Sequence, residues 1–219
     1  MAQQQKTSWN DLSPEQKKQY FLDYYLVKVL IGAAAVLLAV YTVWSVLRPK
    51  PSYLLSIGLY DVSLSDAARE DMIHAMQKEL HTAEPIQLDD GFSSLNNDDL
   101  MRIVSLSTSG RLDGIIADRD VFEWLAGYGY FKDLTLACDS AFLEQHKDSL
   151  ILCKGLKTGE GGLLEEDAEG NGELYTAGVA VGGTKLAYWL PELKEPVFGI
   201  IAESDAVNEI ETILSGLRK

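Results

Sequence analysis

The chain has 219 residues, 47% hydrophobic and 24% charged, which suits one globular domain with an attached segment rather than two full domains. Its net charge of −14 is unevenly placed: residues 1–50 hold six cations (Lys6, Lys17, Lys18, Lys28, Arg48, Lys50) and three acids (Asp11, Glu15, Asp23), leaving residues 51–219 with 13 basic and 30 acidic residues, net −17. A surface of that sign repels nucleic acid and anionic headgroups, so DNA and RNA are excluded as expected partners.

The first element in chain order is apolar. Val29 to Leu47 reads VLIGAAAVLLAVYTVWSVL, nineteen residues without a charge, which as a helix matches a hydrocarbon core of about 30 Å. Lys28 and Arg48 bound it, with Tyr24, Tyr25, Tyr41 and Trp44 near its ends, where amphipathic rings favour the headgroup zone. Leu47-Arg48-Pro49-Lys50 offers no small-residue cleavage site, so an uncleaved anchor is expected rather than a signal peptide. Lys6, Lys17, Lys18 and Lys28 precede the span and only Arg48 and Lys50 follow closely. This predicts a cytoplasmic N-terminus (1–28), a membrane helix (29–47) and an extracytoplasmic domain (51–219). Ser13-Pro14-Glu15-Gln16 is a capping sequence from which one helix is expected to continue into the membrane, with Trp9, Tyr20 and Phe21 against its inner surface. Gly32, Ala35 and Ala39 recur at helical spacing and would admit a second helix.

Beyond Pro49-Lys50-Pro51, short apolar runs alternate with helical stretches, the pattern of βαβ units and a mostly parallel sheet flanked by helices. The expected elements begin with a strand at Tyr53–Tyr60 and a helix at Ser65–His81, its apolar Ala68, Met72, Ala75, Met76 and Leu80 at three- and four-residue steps. A strand at Pro85–Leu88 follows, then a helix at Leu95–Ser107 stopped by Gly110, and a strand at Leu112–Ala117. Asp118-Arg119-Asp120 caps a helix with Val121, Phe122, Leu125 and Ala126 on one face, closing at Gly127 and Gly129. Next come a strand at Leu150–Lys154, an antiparallel pair at Leu163–Glu166 and Leu174–Val181 joined by a turn over Asp167–Gly172, a strand at Val197–Ala202 and a helix at Ala206–Leu217.

Two stretches carry a resemblance. DGIIADRDVFEWLAGYGYFKDLT (113–135) resembles the strand, helix and turn of type 1 extracellular solute-binding proteins, and PVFGIIAESDAVNEIETILSGL (196–217) looks like that family's return strand and final helix. The resemblance implies one periplasmic-binding-protein-like lobe where family members have two closing on a solute. The chain is more similar to single-lobe, membrane-anchored relatives of Gram-positive bacteria. A lone lobe offers an open half-site, whereas solute capture needs most of the ligand buried.

In α/β folds ligands sit at strand C-terminal ends and adjacent helix N-termini, which singles out Tyr60, Asp61, Asp90, Gly91, Asp118 and Arg119 as ligand-binding candidates. Each also has an ordinary role open to it: Asp61 and Asp118 as caps, Tyr60 as packing, Asp90-Gly91 as a turn. No nucleophile elbow, phosphate loop or metalloprotease helix appears, and His74, His81 and His146 are scattered. Asp167, Glu169, Asn171 and Gly172 echo a calcium loop, but Gly178 stands where its bidentate Glu belongs. Gly159, Gly161 and Gly162 read as a flexible connection. Cys138 and Cys153 form either a disulfide or two separate buried thiols.

The expectation is therefore a non-enzymatic, membrane-anchored α/β lobe that needs no cofactor or metal. Its partners are the bilayer through 29–47 and a membrane protein or weakly bound small solute. The alternative is a solute receptor completed by a partner or a second copy and feeding a transporter.

Overall fold

The computed structural model describes residues 13–15, 18, 26–47, 53–94, 96, 98–157 and 168–218. The chain divides into two compact units, Met1–Pro51 and Ser52–Lys219.

In the first unit helix α1 runs Leu26–Leu47, 22 residues with Lys28 as its single charge. Leu30, Ile31, Val36, Leu37, Leu38 and Tyr41 are all 60–69% exposed, so apolar side chains face outward around the helix. Among the described residues no helix is long and apolar enough to cross a membrane, so the expected membrane helix at 29–47 is not found there. Pro14, Glu15 and Lys18 are helical, and the expected continuation from them into α1 lies mostly outside the described residues.

The second unit contains β1 (Leu55–Tyr60), α2 (Asp66–Glu79), β2 (Ile86–Phe92), α3 (Asp98–Thr108), β3 (Gly114–Asp118) and α4 (Arg119–Gly127). The short helices α5 (Leu134–Ala137) and α6 (Ser140–His146) follow, then β4 (Leu150–Lys154), β5 (Leu174–Ala180), β6 (Pro196–Ile200) and α7 (Val207–Gly216). The strands form one sheet in the order β2-β1-β3-β6-β5-β4. Only β2-β1 and β1-β3 are parallel; β3-β6, β6-β5 and β5-β4 are antiparallel.

The sheet is therefore mixed, which corrects the expectation of a mostly parallel one. The βαβ pattern extends only through β3, and β6, from the far end of the chain, inserts in the opposite direction beside it. The predicted hairpin partner of β5, 163–166, lies outside the described residues. Within them β5 pairs with β4 and β6.

Period-two burial divides the core. Leu55, Ile57, Leu59, Ile116 and Phe198 face a layer containing Met72 and Met76 of α2, Phe142 of α6, and Ile210, Ile213 and Leu214 of α7. Tyr60, Phe92, Ile115, Ala117 and Val197 face Ile103 of α3 and Phe122, Leu125 and Ala126 of α4. Helices α2 and α3 take opposite faces because the crossover from β1 to β2 runs one way along the sheet and that from β2 to β3 runs back.

Both cysteines are free thiols, Cys153 buried and Cys138 half-buried, so the disulfide reading is set aside. Burial pushes Cys153 up to about 11, and burial with the neighbouring Glu211 carboxylate pushes Cys138 up to about 12. Neither is an activated nucleophile.

Candidate functional site

The register brings one end of the sheet to a common rim. Tyr60 ends β1, Phe92 ends β2 beside it, and Asp118 ends β3 opposite Pro196, where β6 begins. Ala180, the end of β5, pairs with Val197 at the same edge. All six candidate residues fall on or next to this rim, and the structure accounts for each.

Tyr60 is buried, its ring stacked on Phe92 at 5.9 Å, and its hydroxyl has no hydrogen-bond partner. Burial, reinforced by the nearby Asp99 and Asp61 carboxylates, pushes it up to about 12, so it stays a neutral phenol. Asp61 has a left-handed backbone (φ 54°), its amide donates to the Phe92 carbonyl, and its Oδ1 accepts from the Ser94 amide at 2.9 Å. It thereby ties the loops after β1 and β2 together.

Asp90 and Gly91 belong to β2 rather than to a turn. The strand extends four residues beyond the predicted Leu88 because its last polar residues are held by cations. Successive strand side chains point to opposite faces, so Asp89 pairs with Arg102 of α3 and Asp90 with Arg69 of α2 at 2.7 Å. Asp90 also accepts from the Leu64 amide at 3.0 Å. Burial by itself would raise its pKa; the Arg69 hydrogen bond, the Leu64 amide and the Arg69 charge outweigh that and hold it below the usual carboxylate range. Arg102 lies over the Phe92 ring at 4.4 Å and donates to the Gly91 carbonyl at 2.9 Å. A Cβ on Gly91 would meet that guanidinium at 3.0 Å.

Asp118 caps α4 and also accepts from the Glu195 amide at 2.7 Å, joining β3 to the approach to β6. Arg119 pairs with Glu123 at 2.8 Å, four residues along the exposed face of α4. The structure thus gathers the candidates at one edge and engages the carboxylates in caps, loop ties and ion pairs. Asp89, Arg69 and Arg102 were absent from the sequence reading. Their signal, two consecutive acids at a strand end with an Arg in each neighbouring helix, is visible only once the faces are assigned.

Three open clefts follow the rim. One of about 390 Å³ lies where Arg119, Lys194 and Glu195 meet Asp148 and Gly182. A smaller one of about 220 Å³ is formed by Ser94, Asp120, Val121 and Trp124. The widest, about 510 Å³, opens between the loop Ser63–Ser65 with the start of α2 and the chain from Tyr188 to Glu192. The last of these was also missed. Its signal is the compact Tyr188-Trp189-Leu190-Pro191-Glu192 run, which has neither strand nor helix periodicity.

The histidines are not brought together. His74 and His81 are exposed, and His146 is buried with Nδ1 against the Phe142 carbonyl at 2.9 Å. Among the described residues no group of three His, Cys, Asp or Glu side chains is placed to hold a metal ion. Of the calcium-like loop, Asp167 lies outside the described residues. Gly170 and Gly172 dock by backbone on Gly127 and Gly155, and Gly178 sits inside β5. The glycines 159, 161 and 162 also lie outside the described residues.

No family profile, curated protein or solved structure matches this chain. What the site can do rests on its own geometry: an open edge with three clefts able to bind.

Proposed function

We propose that the chain is a membrane-tethered extracytoplasmic lobe that acts by contact with a protein partner rather than by catalysis. The observation that carries this is the pairing of α1, 22 residues with one charge and exposed apolar side chains, with a separate acidic unit whose strand-end rim is open. At 1.5 Å per residue a helix of that length covers roughly the 30 Å of a hydrocarbon core. The β2-β1-β3 order, with β6 entering antiparallel and α7 last, is in keeping with a single solute-binding-type lobe. The openness of the rim favours a broad partner surface over a small solute, since solutes are retained by burying most of their surface.

The second reading, a solute half-site completed by another copy or a partner, draws on the same clefts. Membrane fractions separate the tether from its absence: the full chain should resist carbonate extraction, and protease added to intact cells should remove the 52–219 unit. Release by carbonate would end the tether reading. Thermal-shift measurements across sugars, amino acids and short peptides, with light scattering for mass, separate the two binding readings. A saturable shift in a defined dimer would favour the solute half-site.

A further inference from the structure

We propose that the groove between the start of α2 and the Leu186–Trp189 turn docks a basic peptide segment of the partner, with an arginine or lysine laid across Tyr188 between Asp71 and Glu192. This rests on the interaction reading above and adds the chemistry of the partner. The groove holds about 510 Å³. Tyr188 on its wall is 83% exposed and meets Trp189 edge to face at 6.2 Å. Lone exposed aromatics are ordinary, but this one borders a concavity beside a second ring and Pro191.

Asp71 and Glu192 stand in the lining, both exposed and neither in an ion pair among the described residues; no Lys, Arg or His lines the groove. A cation entering it meets two uncompensated carboxylates and aromatic faces, the combination that favours guanidinium and ammonium groups. The N-terminus of α2 also opens here and by itself would favour an anion. Its end is capped by Ser65 and carries Asp66, and a half-charge dipole is outweighed by two full negative charges. The net −17 on residues 51–219 steers basic partners towards this unit and repels acidic ones.

A peptide is the occupant, rather than a free small cation, because the groove is shallow. Ser63, Ser65, Asp71, Pro191 and Glu192 are all exposed, so a small cation would stay mostly wet, whereas a peptide adds contacts on both sides.

The test uses the full chain in neutral-lipid nanodiscs and a fluorescein-labelled short peptide carrying two arginines around a leucine, with its glutamine counterpart, read by anisotropy. The arginine peptide should bind saturably and the glutamine peptide should not. Asp71→Asn with Glu192→Gln should weaken binding about tenfold and Tyr188→Ala about threefold, while Tyr188→Phe, which keeps the ring, should retain it. A distant pair, Glu173→Gln with Asp205→Asn, should leave the affinity within about twofold, which separates the groove from diffuse attraction. Equal loss in the distant pair, equal binding of the two peptides, no binding, or saturation by tetramethylammonium as tight as by the peptide would each overturn the proposal. If the groove variants bind normally while the chain still resists carbonate and crosslinks to a protein, the groove assignment fails and the interaction reading stands. Carbonate release would instead strike the tether.

Discussion

Gly178 and Gly199 face each other across β5 and β6, and the space where their side chains would be is filled by aromatic rings. A Cβ on Gly199 would come within 2.5 Å of Phe122 and 2.7 Å of Phe131, two rings stacked at 4.4 Å. This notch seats α4 on the sheet with Asp118 and Arg119 at the rim. Gly199→Ala should therefore destabilise the 52–219 unit by about 2 kcal/mol through overpacking, measured by urea unfolding; a neutral result would mean the notch is loose.

The Arg69–Asp90 pair makes a pH-dependent prediction. Asp90's folded pKa is depressed, so its contribution is present above the unfolded value near 4 and is lost as pH falls through the lower folded value. Asp90→Asn should cost about 1 kcal/mol at neutral pH, reduced from a buried pair's worth by solvent screening, and the cost should vanish well below pH 4. A pH-independent penalty would refute the assignment. The thiols behave oppositely. With folded values near 12 and 11, Cys138 and Cys153 stay protonated while the unfolded chain ionises near 9, so stability should fall as pH rises above 9 and native thiols should react slowly with a disulfide reagent at pH 8. Fast labelling of both in the folded chain would contradict their burial.

At the scale of elements, α2 was legible because two cues agree: an apolar residue every three or four positions and a capping residue at its start, Ser65 or Asp66, of which the structure assigns Ser65, whose hydroxyl accepts from the Ala68 amide. Ser65→Ala should lower stability by about 1 kcal/mol by urea unfolding, and an unchanged midpoint would mean the cap is idle. Strands β3 and β4 were read to within two residues, since β-branched or leucine runs bounded by polar residues leave few alternatives. Helices α5 and α6 were not seen, because four and seven residues are too few to show a helical period. The end of β2 was missed for a different reason. Asp89-Asp90-Gly91 has turn composition, and only the guanidiniums of α2 and α3 allow it to remain strand.

For the whole molecule, the proposed tether carries the largest expected effect. Replacing Val36 and Leu37, both exposed on α1, with aspartates should move the full chain from the membrane to the soluble fraction if α1 spans the bilayer, because each charge at its centre opposes insertion by about 3 kcal/mol. Retention in carbonate-washed membranes would show that α1 is not what holds it there.

The sequence by itself determined the apolar run at 29–47, the acidity of residues 51–219 and most element positions beyond them, because composition and periodicity act within a few residues of chain. The candidate residues were located at one rim by the same local logic, strand ends followed by capping acids. Tertiary structure alone decided the mixed direction of the sheet, since β6 comes from more than seventy residues after β3 to pair with it. It also decided that Asp90 and Asp118 are engaged inside the fold while Asp71 and Glu192, without an ion pair among the described residues, line the same groove as Tyr188. Partnership between charges depends on which faces meet, and local pattern does not carry that information.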